Sequence, residues 1–176
     1  MGRMMLNVLV LWAVAVTGSC SIGRPRWHGK LLSVADSLGF AQEDFECRPA
    51  GNDRDFGRLF GCVRAGPDST AYTYVDTSGT LVLVAMQYEL SAEEAFREFE
   101  KRTARLERSF GEGSTCERPP SSSWDVRNRH WLLESHHRAL VLLLPDPDLR
   151  VEPALRTVAR LGPPQCDDLY SVPLRR

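Results

Sequence analysis

The sequence predicts an α+β fold, a mainly antiparallel sheet with helices packed on one face. Three observations predict it. A long amphipathic helix opens on a capping box at Ser91–Glu94. β-favouring segments with period-two alternation lie on both sides of it. Gly- and Pro-rich turns between those segments are short enough for hairpins.

The chain has 176 residues, with 22 Lys and Arg against 23 Asp and Glu and a formal net charge of -1. That balance gives no electrostatic basis for a nucleic-acid partner. At 43% hydrophobic and 26% charged, the composition suits one globular domain rather than a disordered or fibrous chain. The basic residues are almost all Arg, Lys30 and Lys101 being the exceptions.

The first helix is expected over Trp27 to Leu38, where Leu31, Val34, Ala35 and Leu38 form one stripe and Gly39 stops it. Phe45 and Cys47, then Phe60 and Cys62, alternate with other residues as in strands, and the intervening PAGNDRDFG has turn composition. Tyr72 to Val75 and Leu81 to Met86 read as a hairpin turning through Asp76-Thr77-Ser78-Gly79. The second of these strands is apolar on both faces, which predicts a central position.

In the long helix Phe96, Phe99, Thr103, Leu106 and Phe110 recur at steps of three and four, with Ala92 and Ala95 alongside. That stripe suits packing on the sheet. Gly111 and Gly113 end the helix, and a loop follows with Pro119, Pro120 and Ser121 to Ser123. A further hairpin is expected over Arg127 to Leu144, turning near Glu134 to His137. A short helix is expected over Pro153 to Leu161, with Ala154, Val158 and Leu161 inward and Gly162 as its stop. Cys47-Arg-Pro and Cys116-Glu-Arg-Pro hint at a duplicated strand-rich segment.

Residues 1 to 20 contain Arg3, an apolar run from Met4 to Val16 broken by Asn7, and small residues before Cys20. This is the order of a secretory signal, and the apolar run is about 13 residues, too short for the ~30 Å hydrocarbon core. Gly18 and Ser19 directly before Cys20 resemble the signal of bacterial lipoproteins, whereas Thr17 stands where that class usually has Leu. The resemblance covers these twenty residues only. It implies a signal peptide over 1–19, and an acylated Cys20, with fatty chains such as palmitate, that anchors the mature protein to the bilayer.

Residues 20–26 then form the lipidated cysteine and a short tether, and 27–176 the single domain. Ser21 after the cysteine implies, within that class, the periplasmic face of the outer membrane of a bacterial cell envelope. Cleavage after Ala15 is the alternative, giving a periplasmic or secreted protein. With Cys20 acylated, Cys47, Cys62, Cys116 and Cys166 remain, an even set that an exported domain is expected to oxidise. The preferred pairing is Cys47 with Cys62 and Cys116 with Cys166.

No residue pattern specifies catalysis or a cofactor. Ser33, Ser91 and Ser109 lack a nucleophile elbow, and the pairs Asp53/Asp55 and Asp146/Asp148 do not by themselves define hydrolysis or calcium binding. A metal site would draw on His130, Glu134 and His136 or His137, but strand and turn send these side chains to different faces. Trp27, Trp124, Trp131, Tyr72 and Tyr74 are candidates for a recognition surface, with core packing as the competing role. The expected function is therefore a non-enzymatic binding or structural role at the envelope, with an envelope protein as a possible partner. An exported enzyme and a metal-handling protein are the alternatives.

Overall fold

Seven strands form one antiparallel sheet in the order β1-β2-β3-β4-β7-β6-β5. They are β1 (Glu46–Asp53), β2 (Gly57–Ala65), β3 (Ser69–Asp76), β4 (Leu81–Glu89), β5 (Trp124–Leu132), β6 (His137–Pro145) and β7 (Ala154–Arg160). Helix α1 (Leu32–Ser37) precedes β1, and helix α2 (Ala92–Phe110) joins β4 to β5. This computed structural model describes residues 25–116, 124–145 and 153–162. Cys20, where lipidation is expected, the expected signal and tether before Pro25, Cys166 and the Asp146/Asp148 pair lie outside the described residues. So does the side chain of Trp124. The fold is α+β and mainly sheet, as expected.

The chain order describes two halves, each a helix followed by a meander whose last strand reaches the middle of the sheet. The first half is α1 with β1 to β4 and the second α2 with β5 to β7. They join where β4 and β7 pair, from Leu83 opposite Arg160 to Glu89 opposite Ala154.

Pairing register shows that both helices cover one face. Val84, Met86 and Tyr88 alternate on β4, and they oppose Ala159, Thr157 and Leu155 of β7. Under α1, Leu31, Val34, Ala35, Phe40 and Phe45 pack on Val84, Met86 and Ala159. Under α2, Ala95 and Phe99 pack on Leu140, Leu142 and Leu155. Leaving such side chains exposed instead would forgo roughly 1.5–3 kcal/mol for each large one.

The capping box forms as its spacing predicts. The Ser91 hydroxyl oxygen accepts from the Glu94 backbone N–H, and the Glu94 carboxylate accepts from the Ser91 backbone N–H. The β3–β4 turn is closed by Asp76, whose Oδ1 accepts from the backbone N–H groups of Ser78 at 2.8 Å and Thr80 at 2.9 Å. Gly79 has φ +98°, and a Cβ there would stand 2.5 Å from the Arg26 carbonyl oxygen. The turn therefore needs glycine twice over: for its backbone conformation and for the close passage of residues 25–28.

Three expectations are corrected. The segment expected as a helix over Pro153 to Leu161 is strand β7, between β4 and β6. Its Ala154, Val158 and Leu161 spacing fits a helical stripe, but Ala-Leu-Arg-Thr-Val-Ala also suits a strand buried on both faces, and tertiary pairing decides. The turn expected through PAGNDRDFG is shorter, because β1 continues to Asp53 across a bulge at Ala50. The first helix is also shorter than the expected Trp27 to Leu38, beginning only at Leu32.

Cys47 and Cys62 face each other directly in the β1–β2 register, with Cα atoms 4.0 Å apart, and they form a disulfide. This is the pairing that the sequence favours. Cys116 is disulfide-bonded as well.

Candidate binding site

The face opposite the helices is curled rather than flat. In a flat sheet β1 and β7 would be four strand spacings apart, about 19 Å. Yet Asp53 at the end of β1 forms an ion pair with Arg160 at the end of β7, at 3.2 Å. The β1–β2 hairpin therefore bends over this face. Asp53 also shapes the hairpin tip, its Oδ1 accepting from the backbone N–H groups of Asp55 and Phe56.

The bend makes a trough of about 390 Å³ along β1, β2 and β3. Tyr72 and Tyr74, two apart on β3, share a face by strand alternation. Gly61 lies opposite Tyr74 on β2, and a Cβ at Gly61 would approach the Tyr74 ring to 3.0 Å. The missing side chain leaves room for the Tyr74 ring over Gly61. Ala50 and Val63 extend the apolar lining, and Glu46 and Arg48 supply one carboxylate and one guanidinium. Val63 is 41% exposed and so offers apolar surface at the trough. Burial, and the neighbouring Tyr72, push the Tyr74 phenol above its ordinary pKa, so it stays a neutral hydrogen-bonding group.

Beyond Tyr72 the same face turns into a buried polar belt. Arg156 on β7 is fully buried and donates through Nη2 to Gln87 Oε1 at 2.8 Å. Burial pushes its pKa down to about 10, and Tyr72 acts in the opposite sense, so it remains a cation at neutral pH. On β5 the Asn128 side chain clamps the backbone of Cys116. Its Oδ1 accepts from Cys116 N at 2.7 Å, and its Nδ2 donates to Cys116 O at 3.0 Å.

The three histidines of the β5–β6 hairpin fall into two settings. His130 on β5 and His137 at the start of β6 stack edge to face at 5.3 Å. His136 sits in the turn beside Ser135 and Arg138, its ring nitrogens within hydrogen-bond distance of Ser135 Oγ and Arg138 Nε. Among the described residues, no three His, Cys, Asp or Glu side chains are grouped closely enough to hold a metal ion. The sequence grouping of His130, Glu134, His136 and His137 thus resolves into a stacked pair and a turn.

His137 is buried, and desolvation first, then the charges of His130, Arg160 and His136, lower its pKa to about 4. Arg138 borders the same turn, and Asp53 neutralises part of the Arg160 charge. The unfolded chain takes up this proton near pH 6.5, so between about pH 6.5 and 4 the unfolded state binds more protons than the folded one. The stability contributed by neutral His137 is complete above that window and is lost as pH falls through it, by about 2 kcal/mol at pH 4.5. Urea unfolding of the protein and of His137→Gln at pH 7 and pH 4.5 checks this, the variant being expected to lose less on acidification. An equal loss in both would refute it.

Of the aromatic residues singled out in the sequence, the tyrosine pair lines the trough. Trp27 packs edge-on against Phe45 at 5.0 Å within the helix-side core, and Trp131 is 3% exposed beneath α2. Pro25 and Trp27 do border a smaller apolar cavity of about 360 Å³ with Cys47, Phe60 and Val75. Gly61, Arg48, Arg156 and Gln87 carried no sequence signal for a site, apart from an arginine interrupting the apolar run Ala154 to Ala159. Among the described residues no helix is long and apolar enough to cross a membrane. Comparison with known protein families, curated proteins and solved structures finds no match for this chain.

Proposed function

We propose that the chain is an envelope lipoprotein, held at a bacterial membrane through acylated Cys20. On this reading its domain is a non-enzymatic binding module that takes its ligand in the tyrosine trough. The observation that carries the reading is the combination of Cys20, preceded by small residues after an apolar run, with cysteines in the domain that are disulfide-bonded. Both features belong to exported proteins, and each arises from different residues.

The trough supports binding as the role. Its aromatic faces, the aliphatic side chains of Ala50 and Val63 and a flanking guanidinium and carboxylate are groups that hold a ligand through contact area and a few oriented polar bonds. The tether sets where this happens. Cys20 and Pro25 are five residues apart, a reach of at most about 18 Å. The sheet end carrying the β3–β4 turn, against which residues 25–28 pack, then lies close to the bilayer. An envelope protein fits this reading as the ligand. The outer membrane is the proposed address, from Ser21.

Cell fractionation of the full chain and of Cys20→Ser, expressed in a Gram-negative host, tests the proposal. The parent is expected in the membrane fraction and solubilised only by detergent, with acylation visible by labelled palmitate, and the variant is expected to lose the label. An unlabelled parent in the soluble fraction would refute the anchoring.

A further inference from the structure

The cleft between the two helices, on the face away from the tyrosine trough, has a different chemistry. Leu38 just after α1, Leu106 on α2, Leu140 on β6 and Tyr88 on β4 give it an apolar lining, and its volume is about 500 Å³. Its rim is basic: Lys101, Arg102 and Arg105 come from α2 and Arg138 from β6, against the single carboxylate of Glu98. Four cations and one anion leave a formal +3 around one cavity, in a chain whose total is -1.

These cations are not all neutralised by their neighbours. Glu98 takes up Lys101 at 3.0 Å and Arg102 at 3.3 Å, and the Arg102 guanidinium lies over the Tyr88 ring at 4.4 Å. Arg138 is held by uncharged or weakly basic groups: its Nε donates to His136 Nε2 at 3.1 Å, and it lies 5.5 Å from the Phe110 ring centroid. The Arg105 side chain has no ion pair or hydrogen bond among the described residues. Two guanidinium groups thus border one apolar-lined cavity without a carboxylate partner.

We propose that this cleft binds a terminal phosphate, a phosphomonoester, carried on an apolar body, with Arg105 and Arg138 taking the phosphate and Leu38, Leu106 and Leu140 the body. Guanidinium forks match two oxygens of one phosphate, and such charge-assisted bonds are the stronger class. Cavity size and lining identify the second part of the ligand. A bare phosphate fills a small fraction of 500 Å³ and leaves the leucines wet, whereas a short acyl or similar apolar group covers them. The inference uses none of the trough residues and holds whether or not Cys20 is acylated.

Titration calorimetry of the purified full chain tests it with three probes: dihexanoyl phosphatidic acid, dihexanoyl phosphatidylcholine and inorganic phosphate. The phosphatidic acid is expected to bind at least about tenfold more tightly than either of the others, the equivalent of one charge-assisted hydrogen bond. Arg105→Glu is expected to weaken it by at least about tenfold, and Arg105→Lys by less than Arg105→Glu. Arg105 is exposed and without a side-chain partner among the described residues, so both variants should keep the parent's unfolding midpoint. Several results would overturn the proposal: no binding of phosphatidic acid, phosphatidylcholine binding as tightly, or an unchanged affinity in Arg105→Glu. Inorganic phosphate binding as tightly would likewise overturn it, by showing a simple anion site.

Discussion

Replacing Trp131 with alanine is expected to lower the unfolding free energy by about 3–5 kcal/mol, the range for deleting a large buried aromatic side chain. Trp131 is 3% exposed, in the cluster formed by Ala95, Phe99, Leu140, Leu142 and Leu155. Its Nε1 donates to the Gly111 carbonyl at 2.9 Å, so the ring fastens the end of α2 to strand β5. Gly113 passes so close that a Cβ there would meet the ring at 2.8 Å. Trp131→Phe keeps much of the apolar contact but leaves the Gly111 carbonyl without this donor, at a further cost of about 1 kcal/mol. Urea denaturation of the three proteins separates the terms. A loss under about 1 kcal/mol in the alanine variant would show that the helix end is held without the ring.

Removing the Cys47–Cys62 bridge is expected to cost about 3 kcal/mol, because it closes a 15-residue separation in the unfolded chain. The double variant Cys47→Ala/Cys62→Ala isolates this effect, since chemical reduction would also open the bond at Cys116. The bridge joins β1, an edge strand, to β2. Amide exchange should therefore accelerate most in β1 and β2 and least in β7, which is paired on both sides. An unchanged urea midpoint would contradict the role assigned to the bridge. Exchange accelerated equally throughout the sheet would show that β1 does not open as a separate unit.

What the sequence discloses depends on whether an element's signals are local. Helix α2 is legible because Ser91 and Glu94 complete each other's hydrogen bonds three residues apart, and its apolar stripe needs no partner to be seen. The β3–β4 hairpin is legible for the same reason, since Asp76 closes its own turn. Strand β7 is not, because its neighbours come from β4 and β6, and Arg156 is matched by Gln87, 69 residues away. A run buried on both faces lacks the alternation that marks a half-exposed strand.

The candidate sites divide in the same way. Tyr72 and Tyr74 can be read as a same-face pair, but the trough needs Gly61 and the bend that brings Asp53 to Arg160. Lys101, Arg102 and Arg105 cluster visibly on one helix, whereas Arg138 and Leu38 join them only when α1 and β6 are placed. The arginine-rich composition, uninformative by itself, gains meaning only where Arg105 and Arg138 border the same cleft.

Intact-mass analysis of the mature protein, purified from the membranes of an expressing bacterium under non-reducing conditions, tests the central claim most directly. The account predicts a chain beginning at Cys20, heavier than its amino-acid sequence by a diacylglyceryl group and fatty acyl substitution, with no titratable thiol. A chain that still begins at Met1, carries no lipid and presents free cysteines would contradict it.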